Sequence, residues 1–109
     1  MKKGEIILLE LPLSNGHEQF GLRPAIILSR EINNMVFIVP LTTKRSALKY
    51  HFTINVENSK LKGLKENSTA LVFQMRALDK KIIKKKLGKL EEDLLSRINK
   101  LITEIFELK

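Results

Sequence analysis

Apolar and polar positions alternate in blocks along the chain, and each block has the length of one secondary-structure element. Residues 5–11 (EIILLEL) form a short apolar run closed by Pro12 and the Ser14-Asn15-Gly16 cluster, which predicts a strand followed by a turn. After a polar loop, Pro24 opens the continuous apolar run AIILSR, and beyond Asn33-Asn34 a second run, MVFIVPL, ends near Pro40. Both read as buried strands. From Tyr50 to Val56 the alternation is strict, with Tyr50, Phe52, Ile54 and Val56 on one face and His51, Thr53 and Asn55 on the other. TALVFQM, Thr69 to Met75, predicts a fifth strand, and a weaker sixth lies around Ile82 and Ile83 between flanking lysines.

The last segment changes period. Leu90, Leu94, Leu95, Ile98, Leu101, Ile102, Ile105, Phe106 and Leu108 recur at three- and four-residue intervals, the stripe of an amphipathic helix. Glu91, Glu92 and Asp93 stand in its first turn, where carboxylates complement the helix dipole. Short strands joined by polar turns and followed by one amphipathic helix predict a mainly β fold: a small antiparallel barrel or curled sheet, with the helix on one opening or face.

Composition narrows the function more than the fold. A chain of 109 residues is long enough for one core and too short for two, so one domain over 1–109 is expected. Zero cysteines exclude disulfides and thiolate sites, two histidines cannot make a His-rich metal cluster, and no GxxxxGK[ST], GxGxxG or HExxH element calls for a cofactor. No apolar run approaches the ~20 residues that span a bilayer, and Glu10 and Pro12 cut the one after the basic N-terminus. An unexported, cytoplasmic protein is expected.

The formal charge of +8 nominates polyanions: nucleic acid, an acidic protein, or both. Much of the excess lies in Lys80, Lys81, Lys84, Lys85, Lys86 and Lys89. A solvated lysine-rich strand accounts for that run equally well.

Chemistry has three places to sit. The first loop reads Asn15-Gly16-His17-Glu18-Gln19-Phe20-Gly21-Leu22-Arg23-Pro24, a second polar cluster is Thr42-Thr43-Lys44-Arg45-Ser46, and Gln74, Arg76 and Asp79 follow the fifth strand. Together with Gly4-Glu5-Ile6, Pro40-Leu41-Thr42-Thr43, Gly63-Leu64 and Gln74-Met75-Arg76-Ala77-Leu78-Asp79, these segments resemble, in order and spacing, the MazF/PemK/Kid family of toxins along nearly the whole chain. The most specific part is GHEQ with its following G.RP, then V-P-hydrophobic-T-[ST].

The resemblance implies an SH3-like barrel with a C-terminal helix, working as a homodimer. It implies cleavage of single-stranded RNA at short sequences without a metal, leaving a 2′,3′-cyclic phosphate and a 5′-hydroxyl, and a cognate antitoxin with an acidic or amphipathic tail as partner. Arg23 and Thr42 match residues the family uses in catalysis, and His17 matches a position that serves in some members. His17 or Glu18 could then move the proton. Glu18, Gln19, Thr43, Lys44, Gln74 and Arg76 are the expected substrate contacts. One departure is that Leu71 and Phe73 stand where Kid-like members place an arginine and an acid on the fifth strand.

Two rival readings remain. A CcdB-like inhibitor of DNA gyrase shares the fold but depends on a C-terminal aromatic on its helix, whereas this helix closes Glu107-Leu108-Lys109. A non-catalytic SH3-like RNA- or protein-binding module is the other, against which Arg23 and Thr42 both argue.

Overall fold

The computed structural model describes residues 2–12 and 21–108. Strands β1 (Glu5–Leu11), β2 (Gly21–Ile27) and β3 (Met35–Thr42) come from the three apolar runs. β4 (Thr53–Val56), β5 (Ser68–Leu71), β6 (Arg76–Asp79) and β7 (Ile83–Lys89) follow, then helix α1 (Glu92–Ile105). The strands pair antiparallel in the order β4-β5-β3-β2-β1-β7, with β6 also on β3. The expected mainly β fold with a C-terminal helix is the one observed.

The β2–β3 connection, residues 28–34, closes in a two-residue turn at its tip. Ile32 and Met35 exchange backbone hydrogen bonds of 2.8 and 2.9 Å, and Asn33 and Asn34 both take positive φ, 51° and 68°. Positive φ at both central residues is what the right-handed strand twist requires of such a turn, and Asn tolerates it.

Alternation along β1–β3 feeds two apolar clusters, one on each sheet face. Ile6, Ile26, Val39 and Leu41 join Ile54, Val56, Leu94 and Ile98 on the first face, where α1 lies. Ile7, Leu9, Ala25, Ile27, Val36 and Ile38 form the second cluster, with Leu78, Ile82 and Ile83 packed on it. The helix thus covers one face, as its stripe predicts, although the stripe's last members, Phe106 and Leu108, are exposed. No helix among the described residues is long and apolar enough to cross a membrane.

Several boundaries differ from the sequence reading. The alternating segment 50–56 is a strand only from Thr53, because Phe52 sits at φ 61° and Tyr50 instead closes a 3₁₀ turn, Arg45–Lys49. His51 therefore lies in a turn, exposed, rather than on a strand's polar face. The fifth strand stops at Leu71 in a second 3₁₀ turn, Val72–Gln74, after which Arg76–Asp79, expected as loop, pairs as β6 with Met35–Ile38. The weak sixth strand becomes a 3₁₀ turn, Lys80–Ile82, leading into seven residues of β7. Among the described strands β7 pairs with β1 alone, and its Lys84, Lys85 and Lys86 are exposed. Charged side chains on a sheet edge discourage pairing with other chains.

The segment between β4 and β5 crosses over β7. Lys89 N donates to Leu61 O (3.1 Å), and Gly63 and Gly88 permit the close approach: a Cβ on Gly88 would lie 2.5 Å from the Lys62 carbonyl carbon. The crossing carries Lys62, only 3% exposed, whose ammonium lies 2.9 Å from Glu91, the residue preceding α1.

Candidate active site

A proline shapes the centre of the sheet. β2 and β3 pair at Ile27–Ile38, Ile26–Val39 and Ala25–Pro40, and there the ladder ends, although β2 extends back to Gly21 and β3 on to Thr42. The next pair, Pro24 with Leu41, would be a hydrogen-bonded one, and Pro24 has no N–H to give it. Continued by two residues, the register would set Arg23 opposite Thr42, so the two stand at the place where the strands cease to pair. Arg23 and Pro24, expected in the loop, belong to β2, with Arg23 paired to Leu9 of β1.

Alternation also fixes the face. Arg23 shares its side with Ala25 and Ile27, Thr42 with Pro40 and Ile38, and Arg76, opposite Ile38, with Leu78. All three polar residues thus lie on the face of the second cluster, which is apolar at the hairpin end and polar where the ladder stops.

Thr42 is 2% exposed, and its Oγ1 accepts a hydrogen bond from Lys44 N at 3.3 Å. Thr43 and Lys44 follow it, both exposed, and Gln74 closes the 3₁₀ turn between β5 and β6. The backbone therefore gathers Arg23, Thr42, Thr43, Lys44, Gln74 and Arg76 from β2, β3, β6 and the turns beside them. His17, Glu18 and Gln19 lie outside the described residues. Of the pair at the departure from Kid-like members, Leu71 is buried in β5 and Phe73 is exposed.

Leu9 is opposed by Arg23 on one side and Ile83 on the other, so the start of β7 lies two strand spacings from Arg23, roughly 10 Å. The lysine run begins within reach of whatever Arg23 grips. The chemical capacity of this region is that of an anion site: fixed guanidinium charge, a hydroxyl and an amide, flanked by ammonium groups. Among the described residues, no group of three or more His, Asp or Glu side chains could hold a metal ion. A shallow depression of about 550 Å³ elsewhere is lined by Asn58, Ser59, Lys60, Gly63, Leu64 and Lys65, and includes none of the site residues.

Sequence reasoning missed two features of this region. One is the Tyr50–Phe73 ring contact, with centroids 5.9 Å apart, which depends on two 3₁₀ turns that periodicity does not reveal. The other is the end of the β2–β3 ladder, for which Pro24 was the available signal.

Comparison with known proteins agrees with this fold. Endoribonuclease MazF of Staphylococcus saprophyticus is 31% identical over 106 residues, covering 94% of this chain and 88% of that protein. MazF of Deinococcus radiodurans superposes with a TM-score of 0.83 at 21% identity, over 99% of this chain and 97% of that one. The MazE–MazF structure from the same organism gives 0.77 at 22% identity, over 100% and 97%. A family model for the PemK-like, MazF-like toxin of type II toxin–antitoxin systems matches residues 2–106. With residues 2–106 matched, and a curated relative 31% identical along most of its length, the chain belongs to the PemK-like, MazF-like toxin family of type II toxin–antitoxin systems.

Proposed function

We propose that this toxin is an endoribonuclease that cuts single-stranded RNA at short sequences without a metal ion, leaving 2′,3′-cyclic phosphate and 5′-hydroxyl ends. The observation that carries the reading is the convergence of Arg23 and Thr42 at the end of the β2–β3 ladder, beside a lysine-rich strand. In the reaction the 2′-oxygen loses its proton and bonds to phosphorus, the bond from phosphorus to the 5′-oxygen breaks, and that oxygen takes up a proton. Negative charge builds on the non-bridging oxygens in between. Arg23 is assigned to them, being permanently charged and able to bind two oxygens at once, and Thr42 donates its hydroxyl hydrogen to one of them. His17 is assigned to proton transfer, since imidazole titrates near neutrality. Glu18, Gln19, Thr43, Lys44, Gln74 and Arg76 are assigned to holding the RNA on either side of the cut.

The toxin domain is taken as 1–109 in an SH3-like barrel, acting in the cytoplasm as a homodimer. The Deinococcus MazF occurs in a structure with MazE, and an antitoxin with an acidic or amphipathic tail is the matching partner here. The +8 charge and the exposed Leu22, Phe37, Leu61, Phe106 and Leu108 offer such partners both attraction and apolar area.

The test is cleavage of a long unstructured RNA in EDTA, wild type beside Arg23→Ala, with both new ends mapped. Site-selective cuts ending in cyclic phosphate, slowed about 10²–10³-fold by the substitution, are expected. Intact RNA after incubation with folded protein would instead favour a gyrase inhibitor or a binding module.

A further inference from the structure

Beside the site, two large aromatic rings stand half out of the protein. Tyr50 is 53% exposed and Phe73 42%, with centroids 5.9 Å apart and planes tilted by 56°. Both are held by backbone structure. The turn carrying Tyr50 starts at Lys44, whose N–H donates to Thr42 Oγ1, is anchored by buried Ala47, and closes with Tyr50 N donating to Ala47 O. Thr53 Oγ1 then donates to Tyr50 O at 3.0 Å. Phe73 lies in the 3₁₀ turn immediately before Gln74. Tyr50 and Phe73 are therefore tied to the same rim that carries Thr42 and Gln74.

The electrostatics of that rim select the occupant. Tyr50 belongs to a stretch, 32–56, with no Asp or Glu, which supplies Lys44, Arg45 and Lys49, and Phe73 to another acid-free stretch, 67–78. Lys49 Nζ lies 5.5 Å from the Tyr50 ring centroid. Aromatic faces beside an acid-free stretch that carries lysine and arginine suit a ligand that alternates flat rings with anions, which is the repeat of an unpaired nucleic-acid strand. A purely apolar protein segment would leave those cations without a role.

We propose that Tyr50 and Phe73 form a stacking platform for an unpaired RNA base flanking the cut, with Lys49 meeting the adjoining phosphate. This rests on the ribonuclease reading above and adds a subsite to it. Stacking accepts any base, so the platform supplies affinity and selection for single strands rather than reading one letter.

The chain has one tyrosine and no tryptophan, so its tyrosine fluorescence reports on Tyr50 alone. The probe is a short oligonucleotide carrying the mapped cut site, 2′-O-methylated throughout so that no nucleophile is present. Binding is followed by anisotropy of a label on the probe and, separately, by Tyr50 emission. Quenching on binding is expected, and annealing the probe to its complement should abolish it. Tyr50→Ala and Phe73→Ala should each weaken binding about 5- to 150-fold, the range of one base–aromatic stack, and Tyr50→Phe should restore it. Unchanged emission at saturation, or wild-type affinity in Tyr50→Ala, overturns the platform while leaving the ribonuclease reading intact. If wild-type protein yields no cut site at all, both fall together.

Discussion

The buried lysine at the crossing over β7 is a sensitive point of the fold. Lys62 has a side chain only 4% exposed, and its ammonium lies 2.9 Å from Glu91, whose own side chain is 44% exposed. Glu91→Gln removes the counter-charge while keeping the shape of the residue that precedes α1. Stranding a charge by deleting its partner in a fully buried pair costs about 3–5 kcal/mol. Water reaches the Glu91 side, so the expected loss here is about 1–3 kcal/mol. For a domain of this size that corresponds to a fall in Tm of roughly 5–15 °C.

Lys62→Met should cost less, because the charge it leaves behind, on Glu91, is reached by water. The double variant, Lys62→Met with Glu91→Gln, should be more stable than Glu91→Gln alone. Hydrogen bonding from Lys62 also holds the Glu91 carboxyl below its ordinary value of 4.5. A depressed carboxylate pKa means stability that is present above 4.5 and lost as pH falls through the folded value. The gap between wild type and Glu91→Gln should therefore be constant at neutral pH and close below about pH 4.5. Urea denaturation followed by circular dichroism across pH measures all of this. Loss of less than about 0.5 kcal/mol in Glu91→Gln, or a double variant no better than the single one, would refute the reasoning.

Other expectations follow from the same geometry. Gly88→Ala drives a methyl into the Leu61–Lys62 backbone and should destabilise the fold by about 1–3 kcal/mol or more, read in the same denaturation assay. Ile98→Ala, at a fully buried helix position between α1 and the first cluster, should cost about 2–5 kcal/mol. In RNA cleavage, Thr42→Ser should keep most of kcat and Thr42→Ala should lose about 10²-fold, since the hydroxyl rather than the methyl is assigned the chemistry; equal rates in the two would remove Thr42 from it. The Lys86 ammonium and the Lys2 amide hold the Glu5 carboxyl below 4.5, so Glu5→Gln should lower stability above that pH and not below it, as thermal melts at pH 3 and 7 would show.

What the sequence reveals depends on how many faces of an element are buried. β1, β2 and β3 feed both clusters, so their residues form continuous apolar runs that are read without a structure. Helix α1 is equally plain, because one face must be apolar and the other charged. β7 lies at the sheet edge with Lys84, Lys85 and Lys86 in solvent, so nothing in burial demands an apolar pattern of them. β6 is half-buried along all four residues and reads as loop for the same reason.

The alternation at Tyr50–Val56 misled because it reflects two different environments: Ile54 and Val56 enter the core, while Tyr50 is turned outward. Within the site, residue types were legible and their convergence was not. Arg23 and Thr42 are nineteen positions apart, and only the register at Ala25–Pro40 brings them to the same opening.

The pairing of β1 with β7 joins residues 5–9 to residues 83–89. During synthesis the N-terminal hairpins can form early, but one edge of β1 has no partner until about four-fifths of the chain has been made. The helix that seals the first cluster comes later still. Such long-range closure is slow, because loop entropy is lost before the contacts repay it. A nascent chain therefore holds Arg23 and Thr42 on an unfinished scaffold until β7 and α1 have both been made.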